Sequence, residues 1–86
     1  MAKKVENSKG FLVIEATAAE IIAKAGGYGI CDFCNAPAGI GYYVAVLNSW
    51  YCPKCYADFC ERSKYYQEDA SVERKNYEIY AKLFGV

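Results

Sequence analysis

Two cysteine pairs, Cys31-Asp-Phe-Cys34 and Cys52-Pro-Lys-Cys55, separated by 17 residues, constrain this chain more than any other feature. Each pair holds two thiolates on one side of a short turn, and two pairs at this separation close four sulfurs around one tetrahedral ion. The chain has no histidine to compete for a ligand position, so the expected donor set is Cys31, Cys34, Cys52 and Cys55. An all-thiolate tetrahedral site points to Zn²⁺, one per chain. The size agrees with a metal staple. A chain of 86 residues buries only a marginal share of its surface, and for a structural zinc site the binding free energy is largely folding free energy.

The residues after each pair make the two halves different. Asn35 follows the first pair and is one of the few non-glycine types that tolerates the left-handed conformation a knuckle needs. In the second pair, Pro53 stands where a helix accepts proline, at its first position, and the sequence to Tyr66 then runs without glycine or proline. The second pair is therefore expected in the first turn of a helix. Between the pairs, Tyr42 to Leu47 reads as a strand, Asn48-Ser49 as a turn, and Trp50-Tyr51 as the strand returning to the metal. Alternation puts Tyr42, Val44 and Val46 on one face and Tyr43, Ala45 and Leu47 on the other. Both faces are apolar. The metal-bearing helix covers one through Phe59 and Cys60, and the N-terminal segment or a partner molecule covers the other.

Knuckle, hairpin and helix in this order resemble the treble-clef zinc fingers, and the spacing is similar to that of GATA-type fingers and of one half of a LIM domain. The resemblance covers about residues 30–66. It implies a small metal-stabilised α+β fold. GATA-type fingers read DNA with basic hairpin and helix residues, whereas Tyr42 to Tyr51 here carries no charge. LIM-like modules bind proteins, which an uncharged aromatic hairpin suits better. Iron held as in rubredoxin is the alternative metal reading, because Cys-Pro-x-Cys occurs there too; no glycine follows either pair here, which favours zinc.

Outside that core, the segment 1–10 is polar, with Lys3, Lys4, Glu6, Asn7, Ser8 and Lys9, and is expected to be a flexible tail. Residues 11–86 form a single zinc-binding domain in this reading. Phe11 to Ile14 is a short apolar run expected as a strand, and Thr17-Ala-Ala-Glu20 is a capping-box pattern that starts a helix with Ala18, Ile21, Ile22 and Ala25 on its apolar face. Gly26-Gly27 ends it. The stretch Gly26-Gly27-Tyr28-Gly29 also matches a phosphate-binding loop loosely, but it precedes a knuckle rather than a helix and lacks the lysine and hydroxyl of such loops. Asp69-Ala-Ser71 offers cap residues for a last amphipathic helix over 70–84, with Glu73, Arg74, Lys75, Glu78 and Lys82 on its solvent side.

Formal charge is zero, and it becomes about −2 once four thiols lose protons to one Zn²⁺. That argues against a surface built to neutralise phosphates. The Phe11 to Ala25 stretch is interrupted by Glu15, Glu20 and Lys24, so no membrane span is expected. Five cysteines, two metal-spaced pairs and one left over, fit a zinc count in a reducing compartment better than a disulfide framework, and the expected location is cytoplasmic. Cys60 is expected to pack as a small hydrophobe, with a reactive thiol as its alternative role.

Three functional classes follow. The first is a protein–protein interaction module in which zinc holds the scaffold and an aromatic stripe, Tyr77, Tyr80 and Phe84, contacts a partner or a second copy. The second is a nucleic-acid binder whose tyrosines stack on single-stranded bases; Lys54, Arg62 and Lys64 are, however, interleaved with Asp58 and Glu61. The third is an enzyme, disfavoured because four cysteines leave zinc no open coordination position.

Overall fold

A computed structural model describes residues 2–86; Met1, the first residue of the expected tail, lies outside them. Four strands, β1 (Lys3–Val5), β2 (Val13–Thr17), β3 (Ile40–Val44) and β4 (Ser49–Tyr51), form one antiparallel sheet in sequence order. Three helices accompany it, α1 (Ala18–Ala25), α2 (Pro53–Arg62) and α3 (Ala70–Phe84), so the chain is a small α+β protein. Val13 pairs with Val44, Ile14 with Tyr43, and Tyr43 in turn with Trp50.

Because successive strand residues point to opposite sides, this register sorts the apolar residues into two cores. Ile14, Ala16, Tyr43, Ala45 and Trp50 face α1 and α3 and pack with Ile21, Ala81 and Phe84. Val13 and Val44 face α2 and pack with Phe11 and Phe59. The alternation expected for Tyr42 to Ala45 holds, and the sheet is covered on both sides.

Several expectations change. Part of the segment expected as a flexible tail is paired among the described residues: Lys3–Val5 pairs with Val13–Glu15, and Lys3 reaches Glu15 at 3.7 Å. Beyond β1, Asn7 donates to the Tyr56 hydroxyl at 2.9 Å, and Lys9 Nζ donates to the carbonyls of Glu61 (3.2 Å) and Ser63 (2.6 Å) at the end of α2. A lysine placed on terminal helix carbonyls answers both their unpaired acceptors and the negative end of the helix dipole. Composition hid this because the partners of these polar residues lie some fifty positions away.

Strand β2 starts two residues later than the apolar run suggests and leads directly into α1. There the capping box forms as expected: Glu20 N–H donates to the Thr17 hydroxyl at 3.1 Å and Thr17 N–H to the Glu20 carboxylate at 3.0 Å. Gly26, at φ 71°, closes the helix in the left-handed conformation. Strand β3 stops at Val44 rather than Leu47, where a single 3₁₀ turn ends on Asn48 at φ 52°. Helix α2 ends at Arg62 instead of continuing to Tyr66.

The early stop of β3 has its cause in α3. Ala45 N–H donates to the Leu12 carbonyl at 3.2 Å, but the reciprocal bond is missing. In its place Leu12 N–H donates to the Glu73 carboxylate at 2.9 Å, and Asn76 Nδ2 donates to the Ala45 carbonyl, also at 2.9 Å. Helix α3 thus completes both halves of the ladder bond that the turn interrupts. Glu73, assigned to the solvent side by periodicity, is 2% exposed.

The proposed contact stripe is corrected for the same reason. Phe84 is buried at 5% exposure, Tyr80 stacks on Tyr43 with centroids 3.9 Å apart, and Tyr77 packs at the margin of that core. Phe84 belongs to the core, and Tyr77 and Tyr80 are half-buried against its edge. Helix α1 is eight residues long with Ile21 its one buried residue, too little to cover a sheet face, so α3 covers the remainder.

Candidate metal centre

The first pair sits on a knuckle built as the sequence requires. Ile30 and Pro37 form an isolated bridge, Cys31 N–H donates to the Ala36 carbonyl at 2.9 Å, and Asn35 N–H donates to the Cys31 carbonyl at 2.8 Å. Asn35 makes the reversal with φ 62°. Within the turn, Phe33 N–H points at Cys31 Sγ, 3.4 Å away. A backbone donor aimed at sulfur favours the thiolate over the thiol.

The second pair occupies the start of α2. Cys52 is the N-cap, with φ −67° and ψ 163°, Pro53 follows at the first turn, and Tyr56 N–H donates to the Cys52 carbonyl at 2.9 Å. Cys52 and Cys55 therefore lie at the positive end of the α2 dipole, where negative sulfur is stabilised.

All four sulfurs lie within 4.8 Å of one another, and Cys34 Sγ stands 3.8 Å from Cys52 Sγ. A tetrahedral ion with metal–sulfur bonds of about 2.3 Å requires sulfur separations of about 3.8 Å, so the cage is nearly at coordination size. Cys31, Cys52 and Cys55 are buried, while Cys34 is exposed. Burial opposes a charge on Cys31, yet hydrogen bonds from the backbone of Cys34, Cys52 and Phe33 outweigh it and hold this thiol down to about 6. Cys55 moves the other way, pushed up by burial and by hydrogen bonding among the neighbouring thiols. Four crowded sulfurs without a cation cannot all carry charge. A divalent ion removes that conflict, and the donor set is positioned to bind one.

Sequence reasoning missed the residue that fastens the knuckle to the sheet. Asp32 N–H donates to the Trp50 carbonyl at 2.9 Å, and Trp50 N–H donates back to the Asp32 carboxylate at 2.8 Å. This reciprocal pair aligns Cys31 with the strand that delivers Cys52. The only signal in the sequence was an acceptor inside the first Cys-x-x-Cys. Cys60 stays outside the cage; it packs beside Tyr56 and Phe59, with Asn7 Nδ2 3.5 Å from its sulfur.

The fold and the cysteine cage together define a small α+β metal-binding protein. The chain matches no family model, no curated protein and no solved structure. No helix among the described residues is long and apolar enough to cross a membrane.

Proposed function

We propose that the chain is a structural zinc-binding module of the treble-clef type that works through protein–protein contact. The observation that carries the proposal is the cage of four thiols within 4.8 Å, one pair on a knuckle and one in the first turn of a helix, with the β3–β4 hairpin between them. Zinc is the ion suited to four thiolates in a tetrahedron, and with all four positions filled by protein it has none left for a substrate. The role is therefore scaffolding rather than catalysis. Free thiols held ready for metal fit a reducing compartment, and we place the protein in the cytoplasm.

Protein contact is favoured over nucleic acid by how the cations are used. Lys9 is engaged on the α2 carbonyls and Lys3 faces Glu15, so neither adds to a basic stripe. With Phe84 buried and Tyr77 and Tyr80 half-buried, the exposed large apolar residues of α3 are Val72, Ile79 and Leu83, which recur at intervals of seven and four along one flank of the helix, and Val86 lies just beyond its end. That flank is the contact surface in this reading, for a protein partner or a second copy.

Elemental analysis of protein purified under reducing conditions tests the metal: one zinc per chain is expected, and iron or no metal overturns it. Light scattering and tagged-copy purification, with and without nuclease, test the contact. Capture that survives nuclease and falls with Ile79→Glu or Leu83→Glu is expected, whereas capture lost on nuclease treatment puts nucleic acid in first place.

A further inference from the structure

Helix α3 covers the sheet with one side and leaves another bare. Val72, Ile79 and Leu83, with Val86 just past the helix end, are between 43% and 54% exposed. At about 100° per residue they fall on one stripe. Asn76 borders the stripe on one side and is tied down by its bond to the Ala45 carbonyl. Lys75, Lys82 and, further round, Glu78 border it on the other, and among the described residues none of these three is in an ion pair. An open groove of about 650 Å³ follows this border, lined by Lys75, Glu78, Ile79, Lys82 and Val86 with the neighbouring Tyr77 and Ala81. Every lining residue belongs to α3 or follows it, so no other element of the described chain fills the groove.

We infer that the occupant of this flank is the same flank of a second copy, with the two α3 helices antiparallel about a two-fold axis at the level of Tyr80. The inference rests on the protein-contact reading above and names its partner.

The flank is complementary to itself in this register, both in charge and in shape. Residues equally far before and after Tyr80 stand level across the axis. Glu78 of each copy is therefore level with Lys82 of the other, and the opposite-charge pair forms twice. The apolar residues interleave. Along the contact the order is Val72, then the second copy's Val86 and Leu83, then Ile79 of each, then Leu83 and Val86, then the second copy's Val72. Successive side chains are two or three residues apart, so those of one helix enter the gaps of the other.

Other arrangements lose the charge match. Moving the axis one residue back, to Ile79, sets Lys75 beside the second copy's Lys82; moving it one residue on, to Ala81, brings the two Lys82 side chains as close as Lys82 and Glu78. Parallel pairing sets the charged border against Asn76 and Tyr80, where neither sign finds a partner. With a formal charge of zero, about −2 once zinc is bound, two whole copies repel little. One helix against one helix lies at the low end of specific interfaces, below about 1,200 Å², so the dimer forms and dissociates with concentration.

Sedimentation equilibrium of the zinc-loaded protein over a range of concentrations tests this. A monomer–dimer equilibrium is expected, and Ile79→Glu should abolish it. Glu78→Lys and Lys82→Glu each make both cross-copy pairs repulsive and should weaken dimerisation about tenfold, the scale of two surface ion pairs. An equal mixture of those two variants should regain it, because every contact then joins opposite signs, and the recovery shows that both variants are folded. The inference is overturned by a chain that stays monomeric at every concentration, by a dimer that survives Ile79→Glu, by charge variants that dimerise as the parent does, or by a mixture no stronger than its components. For a monomeric chain, tagged-copy purification tells the two failures apart. Capture of a different protein that is lost with Ile79→Glu or Leu83→Glu keeps the protein-contact reading without self-association, whereas no capture, or capture lost on nuclease treatment, overturns both.

Discussion

Asp32 shows how a single side chain joins the metal centre to the rest of the molecule. Its carboxylate accepts Trp50 N–H at 2.8 Å while its own N–H returns the bond to the Trp50 carbonyl. Asp32→Ala leaves a strand N–H without its partner and should destabilise the metal-loaded protein by about 1–3 kcal/mol in chemical denaturation, with Asp32→Asn losing less because an amide oxygen still accepts. Equal losses for the two variants would show that the hydrogen bond is not what matters. The cysteines make a parallel contrast. Cys34→Ser should lose tight metal binding, whereas Cys60→Ser should keep a full complement of metal, because Cys60 packs beside Tyr56 and Phe59 outside the cage. Metal content of the two purified variants decides it. Gly41 is another residue-scale constraint: a Cβ there would come within 2.5 Å of the Trp50 ring and 2.7 Å of the Tyr51 carbonyl, so no side chain fits between β3 and the indole.

At the scale of elements, α3 is the piece whose role changed most between sequence and structure. Its stripe does pair aromatic residues as the periodicity indicates, but the pairing is with Tyr43 and the sheet. Phe84→Ala is accordingly a core truncation, expected to cost about 3–5 kcal/mol of stability without altering the oligomeric state. A changed oligomeric state with unchanged stability would return that stripe to the surface. Glu73→Ala removes the acceptor for Leu12 N–H and should cost about 1–3 kcal/mol, an effect unexpected for a residue on a helix's charged side. Glu73→Gln should recover part of it. Thermal or urea unfolding of the two variants measures the difference.

The whole molecule depends on two kinds of cohesion that respond to different conditions. The four thiols of the cage are positioned for a metal to hold them: apart from Cys31, Cys52 and Cys55 their cluster includes only Ala38 and Tyr51, a small apolar group. A chelator at neutral pH should therefore lower the melting temperature and loosen residues 30–66 first, read as early loss of amide protection there. The two sheet cores are held by burial, much of it tyrosine. Burial raises the hydroxyl pKa of Tyr43, Tyr42, Tyr51 and Tyr56 above the usual value near 10. These groups are neutral in the fold at pH values where the unfolded chain already ionises them. Their contribution to stability is thus complete below about pH 10 and is lost as pH rises through the raised folded values. Alkaline titration followed by tyrosinate absorbance should show a late group that ionises together with unfolding; all nine ionising as free tyrosine would contradict this.

The sequence by itself determined the local chemistry. The left-handed Asn35, the capping box at Thr17 and Glu20, the glycine stop at Gly26 and the two-faced alternation of Tyr42 to Ala45 were all legible, because each is fixed by neighbours within a few residues, and the spacing of Cys31, Cys34, Cys52 and Cys55 was legible because four thiols in two close pairs match one tetrahedral donor set. Tertiary structure alone decided the docking of β1 on β2, the length of β3, the burial of Glu73 and the side on which α3 spends its aromatic residues. In each of these the deciding partner is remote in sequence: Lys9 answers carbonyls more than fifty positions away, and Glu73 answers an amide 61 positions away. A polar residue looks solvated in sequence until the backbone group that needs it has been placed beside it.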